Sequence, residues 1–174
     1  PGTHHRPALF PRDLGSAFRL PGGSGCFRRV LFREGQGPEE AEALSGKVIQ
    51  EKIEAAGHIA QYRLLPDGIE PIREAVEKSV ADAVVICGGT GLTHLDLTLE
   101  AVEPLFEKTL PGFGEIFRWR SLDEVGTRAM LTRATAGIHR GKPVFCLPGS
   151  PGAARLGTEL IMAELAHIIK HIRE

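Results

Sequence analysis

Two glycine-rich segments of this sequence contain the residue types best suited to bind an anion. The first loop, Gly88-Gly89-Thr90-Gly91, directly follows the apolar run Ala83–Cys87, and the second loop, Pro148-Gly149-Ser150-Pro151-Gly152, follows the apolar run Val144–Leu147. Glycines let the backbone turn sharply and let a ligand approach closely, because they carry no Cβ. Successive exposed N–H groups, and the start of a helix, suit phosphate. We therefore predict an anion site at each loop, with a hydroxyl donor in each.

Two carboxylates, Asp96 and Glu100, follow the first loop closely. A carboxylate beside a phosphate site repels the ligand unless a cation lies between them, and Mg²⁺ binds one or two carboxylates together with substrate phosphates. The pattern therefore predicts Asp96 as a magnesium ligand, with Glu100 nearby. The alternative is a tight strand–loop–helix connection in which Asp96 is a solvated charge at a helix N-terminus.

The second loop also has a purely structural interpretation, in which Ser150 caps a helix and Pro151 takes its first position. This interpretation and the anion-binding one are compatible. A nucleophilic Ser150 is disfavoured, because the sequence around it is not a GxSxG elbow. The first loop is neither a GxxxxGK[ST] phosphate loop nor a GxGxxG dinucleotide loop.

Strands and helices alternate along most of the chain, and this alternation must position the two loops. It predicts an α/β fold with a mainly parallel sheet that is covered by helices on both faces. The predicted strands are Ile59–Leu65, Ala83–Cys87, Ala134–His139 and Val144–Leu147. Ser45 is a predicted cap of the first helix, which ends at Gly57, and Thr98 is a predicted cap of the third, which runs through Leu105. The second helix has Pro71 in its first turn and buries Ile72, Ala75, Val76 and Val80. Ser121 is predicted to open a fourth helix, and a long final helix follows the second loop.

Length and composition predict one globular domain. We expect residues 1–40 to form an irregular N-terminal segment, with Cys26–Phe32 as a candidate first strand, and residues 41–174 to form the α/β domain. With 21 basic and 22 acidic residues the chain lacks a global positive field, so we expect no nucleic-acid partner. We also expect no membrane partner, since no apolar run approaches the ~20 residues of a membrane span.

Cysteines, arginines and histidines carry weaker signals. Three well-separated cysteines without metal-ligand spacing favour reduced thiols in the cytoplasm, with Cys87 and Cys146 in the core. We expect solvated positions for four arginines, with a local basic rim as the alternative, namely Arg118, Arg120, Arg128 and Arg133. We expect surface or edge positions for four histidines, namely His58, His139, His167 and His171.

Around these loops the sequence resembles the MoaB/MogA family of molybdopterin-binding proteins, which also occurs as a domain in gephyrin-type fusions. Five stretches match in order and spacing over roughly residues 41–174, and two of them favour the MoaB branch. The stretches are Cys87–Gly91, Asp96–Ala101, Pro111–Arg118, Ala129–Ala134 and Leu147–Pro151, of which the third and fourth carry the MoaB character.

The resemblance implies a three-layer α/β/α fold, a homotrimer or homohexamer, and Mg²⁺-dependent adenylylation of molybdopterin by ATP. Carried over by residue, Gly88, Gly89, Thr90 and Gly91 would bind the nucleotide and pterin phosphates. Asp96 would be the catalytic aspartate with Glu100 nearby, and Pro148, Gly149 and Ser150 would contact substrate.

The sequence departs from the family pattern in two places. Many members have an arginine immediately before the aspartate, where this chain has Leu95, and members usually have an acidic residue after the first strand, where Ser24-Gly25 is followed by no aspartate. The second departure favours an alternative function, a catalytically weak molybdopterin-binding or scaffold protein. A phosphate-binding α/β domain outside this pathway is the third hypothesis, which the five stretches in register disfavour.

Overall fold

The structure is a computed structural model that describes residues 30–34 and 39–174, with side chains from Leu44 onward. Its strands are β1 Val30–Glu34, β2 Ala60–Leu64, β3 Ala83–Cys87, β4 Lys108–Thr109, β5 Thr135–His139 and β6 Lys142–Leu147. Its α-helices are α1 Glu39–Ala55, α2 Ile69–Glu77, α3 Thr98–Val102, α4 Pro111–Val125 and α5 Pro151–Arg173. Two 3₁₀ segments, Glu103–Leu105 and Gly126–Leu131, follow α3 and α4.

The six strands form one sheet in the order β2-β1-β3-β6-β5-β4. The neighbours from β2 to β6 are parallel, whereas β5 pairs antiparallel with both β6 and β4. The antiparallel edge arises because Arg140 and Gly141, with φ of 46° and 70°, connect β5 to β6, and positive φ at both central residues is typical of a two-residue hairpin turn. The predicted mainly parallel sheet is confirmed.

Helices cover both faces of the sheet, which confirms the three-layer α/β/α fold. Alternate residues of β3 and β6 are buried on opposite faces, because parallel strands in the middle of such a sheet meet a helix layer on each side. One core cluster combines Val85 and Phe145 with residues of α1, α4 and α5. The other combines Val84 and Val144 with residues of α2 and α3.

The predicted start of the first helix at Ser45 is wrong. α1 begins at Glu39, so Ser45 lies inside the helix, where it is fully buried. The stretch before Ser45 is rich in Glu and Ala, which are good helix formers. Because this stretch lacks apolar periodicity, the sequence pattern did not indicate that the helix begins at Glu39. Gly57, with φ of 83°, follows the helix as expected.

Two other predicted caps serve different roles. α3 follows Leu97, which makes no side-chain cap bond, and the Thr98 hydroxyl instead donates to the Gly88 carbonyl. Ser121 opens no helix, because it lies buried within α4 and donates to the Phe117 carbonyl. A capping pattern in the sequence does not indicate that a hydroxyl donates to a backbone carbonyl elsewhere in the folded chain.

Two burial predictions are also corrected, and two are confirmed. Val80 is 77% exposed because α2 ends before it. His139 is buried rather than at the surface, with its Nδ1 hydrogen-bonded to the Leu105 carbonyl at 2.9 Å. Cys87 and Cys146 are fully buried, as predicted. Within the described part of the chain, no helix is long and apolar enough to cross a bilayer.

Candidate functional site

The two glycine loops touch each other at one edge of the sheet. β3 and β6 are parallel neighbours, so their carboxyl ends meet there. The Gly88 N–H donates to the Leu147 carbonyl at 2.9 Å, and a Cβ on Gly149 would lie 3.3 Å from the Gly88 Cα. The close approach leaves little room for a side chain at Gly149. Both candidate anion sites therefore open on the same surface.

Backbone conformation and one threonine fix the shape of the first loop. Gly88 and Gly89 have φ of 93° and 64°, in the left-handed region that favours glycine. The buried Thr98 holds the loop through its side chain, which donates to the Gly88 carbonyl at 2.8 Å, and through its N–H, which donates to the Gly89 carbonyl at 3.0 Å. The first residue of α3 thus fastens the turn that follows β3.

Gly89→Ala is expected to destabilise the protein more than a change at another left-handed glycine. A Cβ at Gly89 would collide with the Thr98 hydroxyl, whereas Gly57, also at positive φ, has open space around it. The left-handed conformation alone costs about 1–2 kcal/mol. Urea unfolding should give Gly57→Ala a loss of that order and Gly89→Ala a clearly larger one. Equal losses would mean that the Thr98 contact is unimportant.

The Asp96 carboxylate points back towards the residues that precede it, Gly91 and Thr93. Its Oδ2 accepts hydrogen bonds from the Thr93 N–H at 2.9 Å and the Thr93 hydroxyl at 2.6 Å. A Cβ on Gly91 would lie 2.6 Å from Oδ2. Asp96 also accepts a hydrogen bond from the Gly91 backbone, so it engages one of the loop N–H groups that the sequence analysis assigned to a phosphate.

Asp96 is ionised at neutral pH. Burial raises the pKa of its carboxyl, but hydrogen bonds from Thr93 and Gly91 and attraction by Arg133 outweigh burial and hold the pKa below its usual value. The carboxylate is therefore available to a cation.

The pKa of Asp96 predicts how stability changes in acid. Because the folded-state pKa is depressed, the stabilisation is fully present above the unfolded value of about 3.9 and is lost as pH falls through the folded value. The difference in free energy of unfolding between wild type and Asp96→Asn should be constant above about pH 5 and shrink below about pH 4. Urea titrations across this range would measure it. A difference that grows in acid would contradict the assignment.

Arg133 was predicted to be a solvated residue, but it holds the first loop in place through three hydrogen bonds, which together we call the Arg133 clamp. Its Nε donates to the Thr90 carbonyl at 3.1 Å, its Nη2 to the Asp96 carbonyl at 3.2 Å, and its Nη1 to the Glu100 carboxylate at 2.6 Å. The hydrogen bond from Arg133 lowers the pKa of Glu100, and the same bond raises the pKa of the guanidinium. The Arg133 side chain thus connects the backbone of Thr90 and of Asp96 to Glu100 in α3.

The second loop is fixed at both ends. Ser150 caps α5, since its hydroxyl accepts from the Ala153 N–H at 3.3 Å, and Pro151 opens the helix. The predicted structural interpretation of this loop is therefore confirmed. The Gly149 carbonyl accepts from the Ser45 hydroxyl at 2.8 Å, across a sequence separation of 104. The positive end of the α5 dipole lies at this loop, which favours an anion there.

The residues present fit a magnesium ion that is shared with substrate phosphates. No group of three or more His, Cys, Asp or Glu side chains converges on a metal position among the described residues. Mg²⁺ does not require such a cage, because one or two carboxylates suffice when phosphates supply the other oxygens. Both carboxylates beside the loop have a lowered pKa: Asp96 is hydrogen-bonded to Thr93, and Glu100 is paired with Arg133.

Ser24-Gly25, the segment expected to follow the first strand, lies outside the described residues and precedes in the chain the strand β1, which ends at the acidic residue Glu34. The first four residues of the candidate strand Cys26–Phe32 also lie outside them, and β1 begins at Val30.

The fold and the site define an α/β protein that presents two glycine-rich loops and an ionised carboxylate at the carboxyl edge of its sheet. Residues 28–167 match the family described as "Probable molybdopterin binding domain". The chain belongs to this family, that of the MoaB/MogA proteins, as the five sequence stretches predicted.

Relatives that belong to the MoaB branch are among the most similar proteins. The molybdopterin adenylyltransferase of Pyrococcus furiosus is 48% identical over 142 residues, which cover 78% of this chain and 83% of that protein. The molybdenum cofactor biosynthesis protein B of Bacillus subtilis is 45% identical over 141 residues, covering 75% and 81%. The crystal structure of the tungsten cofactor synthesizing protein MoaB from P. furiosus matches with a TM-score of 0.78 and 40% identity, covering 87% of this chain and 100% of that one.

Proposed function

We propose that this chain transfers the adenylyl group of ATP to molybdopterin, a step of molybdenum cofactor biosynthesis. The observation that carries the proposal is the contact between the two glycine loops, because it brings together two turns of the kind that suits anions, with the ionised Asp96 against Gly91 of the first loop. The 48% identity to a protein named molybdopterin adenylyltransferase supports it.

The protein would contribute to this reaction mainly by positioning the two substrates and by neutralising the charge of their phosphates. The terminal phosphate of the pterin attacks the α-phosphorus of ATP, the bond to pyrophosphate breaks, and adenylyl-molybdopterin and pyrophosphate leave. The first loop holds phosphates through its backbone N–H groups and Thr90. The second loop holds another anionic group through Ser150 and the start of α5.

Asp96 would hold Mg²⁺, with Glu100 as the nearby carboxylate, and the ion would neutralise phosphate charge. The same carboxylate now accepts the Thr93 N–H and hydroxyl. We propose that a phosphate takes over the Gly91 and Thr93 donors and so releases Asp96 towards the cation. Arg133 keeps the loop ends and α3 in place during this exchange.

The experiment that tests the proposal is formation of adenylyl-molybdopterin from purified protein, ATP and molybdopterin. Product should require Mg²⁺ and should appear in equal amount with pyrophosphate. Omitting either substrate, or adding excess chelator, provides the controls. Pterin binding without any consumption of ATP would contradict the proposed transfer.

A catalytically weak pterin-binding or scaffold protein is the second candidate function. The observation that favours it is that both carboxylates are engaged within the chain, Asp96 by Thr93 and Glu100 by Arg133. Titration calorimetry with molybdopterin, alone and with Mg²⁺ and ATP, distinguishes the two functions. Tight binding that neither additive changes would favour the scaffold.

We further propose a homotrimer or homohexamer in the cytoplasm. Support for assembly comes from an apolar row that winds about half-way around α4 in steps of three residues, comprising Ile116, Trp119, Leu122 and Val125, each about half exposed. An interface between copies would remove this row from water. Support for the location comes from the buried thiols of Cys87 and Cys146, which suit a reducing compartment.

Leu122→Glu is expected to shift the assembly towards monomers, because it places a charge in the middle of the apolar row. Light scattering coupled to gel filtration would measure the change in mass. Val80→Glu is the matched control, since Val80 is also exposed but lies beyond α2, in the opposite helix layer. A wild-type monomer, or an equal effect of both variants, would contradict the use of α4 as the interface.

A further inference from the structure

We infer that the last turns of α5 bind a divalent transition-metal ion through His167 and His171. The two residues are four apart on an exposed part of the helix, so their side chains share one face. Their Nε2 atoms face each other at 3.1 Å, and the ring planes are 88° apart. Imidazole is the ligand type that Zn²⁺ and Ni²⁺ prefer, whereas Mg²⁺ prefers oxygen.

The separation of the two nitrogens suits a shared metal ion. Zinc binds imidazole nitrogen at about 2.0–2.1 Å, so two ligands would lie about 2.9 Å apart at a right angle and about 3.3 Å apart at the tetrahedral angle. The observed 3.1 Å falls between these values. The two nitrogens therefore need little change in their separation to bind one ion, and the rings would turn so that both Nε2 lone pairs point at it.

A carboxylate on the same turn orients one of the histidines. Oε2 of Glu174 lies 3.3 Å from Nδ1 of His171. When that carboxylate accepts the Nδ1 proton, the Nε2 lone pair of His171 is left to bind a metal, and such carboxylate–histidine pairs are usual around metal ligands. Without metal, one Nε2–H donates to the other ring, and the ion replaces this hydrogen bond.

The inferred site is separate from the proposed magnesium site. His167 lies roughly five turns beyond Ser150, or about 25 Å along the helix. Because no third His, Cys, Asp or Glu ligand converges on a metal position within the described ranges, we describe an open two-nitrogen chelate. Water or a second molecule would complete its coordination, and the metal would exchange readily rather than stabilise the fold.

Titration calorimetry with zinc chloride tests this inference. All proteins should carry His4→Gln and His5→Gln, because these two histidines lie outside the described residues and could bind zinc themselves. We expect one zinc ion per chain. Loss of an outer partner costs about 10–100-fold in metal affinity. We therefore expect at least about a tenfold loss for His167→Gln and for His171→Gln, and about tenfold for Glu174→Gln.

His94→Gln is the control, since His94 is an exposed histidine far from the C-terminal turns of α5. It should leave zinc affinity unchanged. Equal melting temperatures without metal would exclude misfolding of the variants. Undiminished affinity in both His167→Gln and His171→Gln, or no saturable binding by the parent, would overturn the inference. Adenylyl transfer is measured separately, so failure of the proposed function would leave this result unaffected.

Discussion

Asp96→Asn is expected to lower adenylyl transfer by about 10²–10³-fold, the range seen when one preorganised electrostatic contact is removed, while molybdopterin binding stays largely intact. Asparagine has nearly the same shape, so its side-chain oxygen can still accept the Thr93 N–H. It removes the negative charge that the lowered pKa maintains at neutral pH. Product formation and pterin affinity should be measured in parallel. Unchanged turnover would remove Asp96 from the mechanism.

Thr93→Val separates the charge of Asp96 from its role in shaping the loop. The substitution removes the 2.6 Å hydrogen bond from the Thr93 hydroxyl but keeps the carboxylate and the Thr93 N–H. If the charge matters most, Thr93→Val should retain most of the turnover that Asp96→Asn loses. If both variants lose turnover equally, the loop conformation that the Thr93 hydroxyl supports is needed as well as the charge of Asp96.

The positions of the two loops could be predicted from the sequence because they depend on short-range patterns. Ala83–Cys87 is a strand with the predicted bounds, and all five residues are buried. The second apolar run forms most of β6, which is likewise buried. Such continuous apolar runs are typical of parallel strands between two helix layers. Parallel strands in turn place the loops after them at one edge, and glycine is needed where those loops touch.

The residues that hold the loops could not be predicted, because their partners are distant in the sequence. Ser45 reaches Gly149 across 104 positions, and Arg133 reaches Thr90 and Glu100 across 43 and 33. Thr98 looked like a helix cap, but its hydroxyl bonds a loop carbonyl ten positions earlier. A serine, threonine or arginine in isolation gives no sign of such a contact. In each case tertiary structure, not local preference, decides the role.

Those distant contacts have a common effect on the site. Ser45 fixes the second loop through a carbonyl, and Thr98 and Arg133 fix the first loop through carbonyls. These hydrogen bonds fix the backbone of both loops through their carbonyl oxygens. If the loops bind phosphate as proposed, the fixed backbone would preorganise the N–H donors, and preorganised donors lose little free energy to rearrangement when a charged group binds.

Arg133→Ala should be the second most damaging substitution, because it releases Thr90, Asp96 and Glu100 together. A displacement of about 1 Å at a reacting group can cost about 10²-fold in rate, and we expect a loss of that order in kcat/KM. Hydrogen exchange should become faster across residues 90–97 and stay unchanged in α5. Arg128→Ala is the control, since Arg128 is an exposed arginine on the preceding 3₁₀ segment.

Arg133→Lys distinguishes the geometry of the clamp from its charge. Lysine keeps the positive charge near Glu100 but offers one nitrogen, whereas the guanidinium donates from three nitrogens to three separate oxygens. If Arg133 positions the loop, lysine should leave loop exchange fast and turnover low. If lysine restores turnover while the loop still exchanges rapidly, the site needs only positive charge at this point. In that case the clamp contributes to stability and not to catalysis.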